Sequence, residues 1–274
     1  MCRGTAGACH SCQVTGEGLS GDADGSRLGV VIVTHQQRYL SECLESVLGQ
    51  SVAPTRIVLV DNASPRGASA SQVAEHLDID ALRVTTPVSL ATARNLGCEL
   101  LDDCDYIVSV DGDDLLLPRY IETYWRAAMT NDADVVYGPA EMFGAEEGVA
   151  FTATNRRQDL RRGNFIAANS LFTRRMWRVS GGFDARLTVF EDWDFWLSCA
   201  ENKARFLALD EVLWRYRRHE ASMLATATED GKDRSRKLIR EKHLPYIWGP
   251  LQWRRFTRNV EKTTMRLRGS RADR

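Results

Sequence analysis

The sequence predicts an α/β domain built on a doubly wound parallel sheet. Three observations predict it: runs of consecutive apolar residues of strand length, helical apolar spacing between those runs, and polar residues gathered where the runs end. The 274 residues suffice for a sizeable core, and 43% hydrophobic with 27% charged residues is an ordinary globular composition.

From Leu28, GVVIVT forms the first strand, and YLSECLESVLGQ places Leu40, Cys43, Leu44, Val47 and Leu48 on one helical face. TRIVLVD is a second strand that closes on a carboxylate. SASQVAEHL is a short helix, ALRVTTP a third strand and LATARNLGCELL a further helix. DYIVSVD is the fourth strand, RYIETYWRAAMTN a helix and DVVYGP the fifth strand. Strands apolar along their whole length belong in a sheet covered on both faces. From about residue 139 the pattern is less regular. It holds a polar segment (FTATNRRQDLRRGN), a helix-like TRRMWRVS followed by GGFD, then FEDWDFWLSCAENK, and ARFLALDEVLWRYRRH as a strand pair.

The flanks differ in character. Residues 1–27 are rich in Gly, Ala and Ser without periodicity, which predicts a disordered leader. Cys2, Cys9, His10 and Cys12 crowd four potential zinc ligands together more tightly than structural zinc sites do, and no second half-site follows. No apolar signal segment and no membrane-spanning run is present in the sequence. Seven cysteines, an odd number spread through core elements, predict reduced thiols and a cytoplasmic setting. Residues 230–274 carry 14 Lys/Arg against 5 Asp/Glu, leaving 22 against 32 in residues 1–229. Aromatics interleaved with arginines in that tail suit an anionic membrane interface at the inner face, and equally a solvated helix pair packed on the domain. An acidic body argues against nucleic acid as a partner.

The chemistry centres on VSVDGDDLLLP, Val108 to Pro118, where Asp111, Asp113 and Asp114 sit at a strand end. In open α/β sheets ligands bind beyond the carboxyl ends of the strands, so Thr34 and Asp61-Asn62 belong to the same region. A single Asp, Asn or Thr there reads equally as a helix cap or turn residue, but one cap needs one oxygen, not three carboxylates. Grouped carboxylates suit Mg²⁺ or Mn²⁺ bridging to phosphate oxygens, which relieves their repulsion. Gly112 would allow close ligand approach or a positive φ. FEDWDFWL adds Glu191, Asp192 and Asp194 beside Trp193 and Trp196, aromatic faces of the kind sugar sites present. The first-turn acids also suit a helix N-terminus.

These motifs, in order from about 28 to 223, resemble inverting glycosyltransferases of the GT-A fold, family 2. VVIVTHQQRYLSECLESVLGQSVAPTRIVLVDNAS looks like that family's opening strand-helix-strand, ATARNLG its donor-site helix and DGDD its metal motif; GGFD with FEDWDFWL resembles its acceptor and base region, ending in WRYRRHEASM. The resemblance implies a Rossmann-like nucleotide-sugar half at 28–138, an acceptor half at 139–229 and a helical basic tail at 230–274. It implies that Thr34 and Asp61 line the nucleoside pocket, Arg94 stands near the nucleotide, and Asn95 supports that helix. Asp111 would contact the ribose and the metal's water shell, Asp113 would ligate the metal, and Asp192 would be the general base. Asp114 and Glu191 would be secondary, Asp114 also reading as a helix cap. His219 reads either as a metal or diphosphate contact or as a surface residue beside Arg217 and Arg218, which could themselves clamp phosphate. Gln36 stands where family members commonly carry Asn. GPLQWRRF does not fit the Q-x-x-R-W motif of processive relatives, so one transfer per encounter is expected. The donor would be a nucleotide-sugar, most naturally a UDP-sugar, and the acceptor a glycan, a lipid-linked intermediate or a small molecule. Two other readings are a non-catalytic sugar- or nucleotide-binding protein and a nicotinamide-dependent oxidoreductase. THQQRY in place of a glycine-rich turn after the first strand disfavours the latter.

Overall fold

The computed structural model describes residues 25–35, 37–64, 77, 79–151 and 160–248. The Cys2–Cys12 cluster, the SASQVAEHL helix apart from Leu77, Gln36, most of the polar segment and the tail from 249, GPLQWRRF included, lie outside them. In chain order the strands are β1 (Leu28–Thr34), β2 (Arg56–Asn62), β3 (Asp80–Val84), β4 (Tyr106–Asp111), β5 (Leu115–Leu116), β6 (Val135–Tyr137), β7 (Ala140–Gly144), β8 (Gly148–Ala150), β9 (Leu171–Thr173), β10 (Phe206–Ala208) and β11 (Trp214–Arg218). The helices are α1 (Leu40–Leu48), α2 (Leu90–Leu100), α3 (Tyr120–Asn131), α4 (Arg174–Ser180), α5 (Glu191–Glu201), α6 (Met223–Thr226), α7 (Glu229–Lys242) and α8 (Leu244–Trp248).

The main sheet runs β10-β6-β9-β4-β1-β2-β3 and a smaller one runs β5-β11-β7-β8. As the apolar runs predicted, β1 is parallel to β2 and β4, and every one of its residues is buried. Alternate β1 side chains feed two layers: Val31 and Val33 join Ala91 and Cys98 of α2, while Val30 and Ile32 join Leu44 of α1 and Ile121 of α3. Each such buried aliphatic stabilises the fold by roughly 1.5–3 kcal/mol. Four buried cysteines, Cys43, Cys98, Cys104 and Cys199, are free thiols, and burial pushes Cys104 up to about 11 and Cys199 up to about 12.

Two expectations need correction. ARFLALDEVLWRYRRH does not form a strand pair: β10 lies parallel to β6 in the main sheet, and β11 lies parallel to β7 in the smaller one. FLA is buried on both faces, whereas only Trp214 of WRYRR is, so the two strands suit different layers. The main sheet is also not parallel throughout, because β9 inserts antiparallel between β4 and β6. Three residues are too few to show a period.

Helix α2 starts at Ser89, whose Oγ accepts from Thr92 N at 3.1 Å, a cap typically contributing about 1 kcal/mol. The helix rests directly on the sheet at Gly97, where a Cβ would lie 2.3 Å from Val31 Cγ1 and 3.1 Å from Val60 Cγ2. Gly97→Ala should therefore destabilise by about 1–3 kcal/mol through overpacking, despite alanine's better helix propensity. Urea unfolding midpoints check this.

Candidate active site

The parallel register lines up the polar strand ends. Thr34 pairs with Asp61 and Val33 with Asp111, so the tips of β1, β2 and β4 form one rim. Thr34 and Asp61 are both buried. Asp61 Oδ1 accepts from Ser64 N at 2.9 Å, while its buried Oδ2 has no hydrogen-bond donor among the described residues. Among the described residues the nearest cation is Arg83, with Nε 3.9 Å away. A buried acceptor left unpaired costs about 1–3 kcal/mol, and a ligand N–H or O–H would remove that cost. Asn62 exchanges two 2.9 Å hydrogen bonds with Val88 and so fixes the loop entering α2. Gly112 does not take up a positive φ; its missing Cβ clears Thr34 Cβ, which would be 2.9 Å away.

The three carboxylates after β4 have separate surroundings. Asp113 Oδ2 lies 2.8 Å from His219 Nε2, joining residues 106 apart in sequence. Asp114 is buried and caps no helix; its oxygens accept from Asn169 Nδ2 at 2.7 Å and Arg217 N at 2.9 Å. Burial and the neighbouring carboxylates hold Asp113 and Asp114 above the usual carboxylate range, and His219 partly offsets this for Asp113. Arg217 is committed to the fold. Its Nε donates to the Asp113 carbonyl at 2.8 Å and Nη2 to Glu42 at 2.8 Å, and its guanidinium lies 4.0 Å from the Tyr39 ring and 4.4 Å from Phe143. Arg218 pairs with Glu146 at 3.0 Å.

Arg94 joins the end of β4 to the start of α5. It is 1% exposed, and donates through Nη2 to Asp111 Oδ1 at 2.6 Å and through Nη1 to Glu191 Oε1. Burial alone would lower its pKa, but Asp111 and Glu191 raise it further. Asn95, next in α2, accepts from Trp177 Nε1 and Phe183 N and donates to the Phe183 carbonyl, which fastens the GGFD turn.

Helix α5 begins after Phe190, whose φ of +65° is sterically costly for a bulky residue. That turn presents three acids to three different surroundings. Glu191 pairs with Arg94, while Asp194 is buried between Lys242 Nζ at 2.6 Å and His243 Nε2 at 3.0 Å. Asp192 is half-buried and, among the described residues, meets only uncharged donors, Trp193 N at 2.8 Å and Asn164 Nδ2 at 2.7 Å. Burial first, and then Glu191, push its carboxyl up to about 7, against the opposing pull of Arg94. Trp193 and Trp196 do not offer open faces to a sugar: they are 6% and 0% exposed, and their indoles donate to the Leu160 and Ile166 carbonyls.

Sequence reasoning missed Asn164, Asn169, Lys242 and His243. His243 is fully buried, with Nδ1 3.0 Å from Glu201 as well; burial would lower its pKa, but Asp194 and Glu201 raise it overall. The only signal in the sequence was the spacing of Ile239, His243 and Tyr246, which are buried along α7 and α8 where the sequence is otherwise rich in charge.

Among the described residues no three His, Cys, Asp or Glu side chains converge as a complete cation cage. The Asp113–His219 pair nonetheless fits a divalent cation that takes its remaining ligands from water and a diphosphate. No described helix is long and apolar enough to cross a membrane.

The family model described as "Glycosyl transferase family 2" matches residues 29–192, more than half of the chain. The uncharacterized glycosyltransferase YwdF of Bacillus subtilis (strain 168) is 29% identical over 188 residues, covering 64% of this chain and 69% of YwdF. The crystal structure of S. aureus TarS 1-349 in complex with UDP-GlcNAc superposes with a TM-score of 0.66 at 16% identity, covering 80% of this chain and 66% of that one. The complex of the same TarS fragment with UDP gives a TM-score of 0.60 at 15% identity, covering 80% of this chain and 72% of that one. At these identities the likeness establishes the GT-A fold, and the chain spans just under two thirds of the first of those structures.

Proposed function

The chain belongs to glycosyltransferase family 2, and from that premise we propose that it transfers a sugar from a UDP-sugar to an acceptor hydroxyl with inversion. The transfer is non-processive and uses Mn²⁺ or Mg²⁺ held by Asp113 and His219. The observation that carries this reading is the isolation of Asp192. Of the three acids opening α5, it is the one without a cationic partner among the described residues.

The remaining roles follow from placement. Thr34 and Asp61 line the nucleoside pocket, where the unpaired Asp61 Oδ2 takes a donor from base or ribose. Asp111, aimed by Arg94, faces the ribose. A divalent cation, when bound, supplies Lewis-acid stabilisation of the departing diphosphate. Asp192 accepts the proton as the acceptor oxygen forms its bond to the anomeric carbon. The bond from that carbon to the phosphate oxygen breaks on the opposite face, and the electron pair leaves with UDP. A carboxylate near pH 7 is poised for this work. The acceptor is a glycan, a lipid-linked intermediate or a small molecule, with the basic tail contributing peripheral contact to an anionic membrane.

UDP release from a panel of UDP-sugars, with and without Mn²⁺, tests the proposal. Asp113→Asn should abolish transfer and weaken metal-dependent nucleotide binding by at least tenfold, an order of magnitude set by losing one charged ligand. Transfer that survives both this substitution and EDTA would overturn the metal assignment. Nucleotide binding without UDP release from any donor would leave a binding protein instead.

A further inference from the structure

The loop that faces α5 is stapled to it at both ends. Trp193 Nε1 donates to the Leu160 carbonyl at 2.6 Å and Trp196 Nε1 to the Ile166 carbonyl at 2.9 Å, with Leu160 and Ile166 fully buried. Between those staples stands Asn164. Its Oδ1 accepts from Ile166 N at 3.2 Å, which turns its Nδ2 toward Asp192 Oδ2 at 2.7 Å. The amide orientation is thus set by the backbone, and the loop is held by indoles that have no other role in the site. Asn164 lies inside the family-matched span, yet it belongs to none of the motifs that identify the family.

We propose that Asn164 is a positioning residue for transfer, aiming the Asp192 carboxylate and holding it in its proton-accepting form. This rests on Asp192 as the base. The two donors to Asp192, Trp193 N and Asn164 Nδ2, occupy one site on each oxygen, and a carboxylate offers about four such sites in all. A lone pair therefore remains for an incoming hydroxyl. An N–H donor favours the ionised carboxylate over the acid. Among the described residues the charged groups acting on Asp192 are Glu191 from its own helix, which opposes ionisation, and Arg94 from α2, which favours it. Asn164 adds to the Arg94 side without carrying charge, so its contribution does not titrate. Removing it leaves burial and Glu191 less opposed, and the base becomes protonated at higher pH.

The test is the pH dependence of kcat/KM for the intact chain with Mn²⁺ and a UDP-sugar that it turns over. In Asn164→Ala the acid limb should move up by about one pH unit, since losing a hydrogen bond to the charged form is a shift of that order. The rate at pH 7 should then fall roughly fivefold and largely recover by about pH 9, with nucleotide Kd within about twofold. Asn164→Asp keeps the size of the side chain but adds a like charge, so it should move the limb further even if the alanine variant folds poorly. An acid limb that stays in place in both variants, while Asp192→Asn abolishes transfer, overturns this inference alone. Transfer that persists in Asp192→Asn overturns the base assignment, and this inference with it.

Discussion

Asp192→Asn is expected to lower kcat by at least about 10²-fold while changing the donor Kd by less than about threefold. The base acts on the acceptor hydroxyl and need not touch the nucleotide, so binding and chemistry should separate. A factor of 10² to 10⁴ corresponds to roughly 3–5 kcal/mol of barrier. Titration calorimetry with UDP and Mn²⁺ beside initial rates would decide it, and a matching loss in both would make Asp192 a donor-site or structural residue. The parent enzyme should lose activity as pH falls through about 7, where Asp192 takes up its proton. Stability should run the other way. The folded-state pKa lies above that of the unfolded carboxylate, so the fold penalises the anion in full above about pH 7 and not at all below about pH 4. Asp192→Asn should therefore melt higher than the parent at pH 8.5 and the same at pH 4. Gaining stability while losing rate is the pattern expected of a group kept for chemistry.

Arg94→Met is expected to cost about 3–5 kcal/mol of stability, because it strands the buried Glu191 carboxylate and removes the Asp111 partner. Arg94→Lys should not rescue it, since an ammonium lacks the fork that reaches both carboxylates at once. Adding Glu191→Gln to Arg94→Met should recover part of the loss by removing the unpaired charge. Denaturant midpoints of the three variants check this, and a loss below about 1 kcal/mol for Arg94→Met would show that the bridge is dispensable. Transfer should fall in every Arg94 variant, because the guanidinium sets the spacing between Asp111 and Glu191.

The parts legible in the sequence were those written in periodic or local code. GVVIVT, TRIVLVD and DYIVSVD became adjacent parallel strands because continuous burial leaves one arrangement for them. Ser89 and Thr173 cap α2 and α4, a place their residue types favour, although neither was singled out from the sequence. What escaped was pairing between distant residues. Nothing local marks Asn164 as a neighbour of Asp192, or Lys242 and His243 as partners of Asp194, since each pair closes across loops whose path only the tertiary fold decides. The tryptophans of FEDWDFWL misled for a related reason. An indole can serve a sugar or a core equally well, and here both indoles are spent on fastening the loop behind the acid.

The ionic clamp on Asp194 bears on how the enzyme is made. A ribosome delivers α5 well before it delivers Lys242 and His243, which lie 48 and 49 residues later. Until they emerge, the nascent chain would have to bury an unaccompanied carboxylate in order to seat the helix that carries Asp192, and that is strongly unfavourable. A chain interrupted between 219 and 241 would keep β11 and the His219 contact to Asp113 but leave the Asp194 carboxylate without either partner, so α5 should be seated less firmly until the clamp has been synthesised.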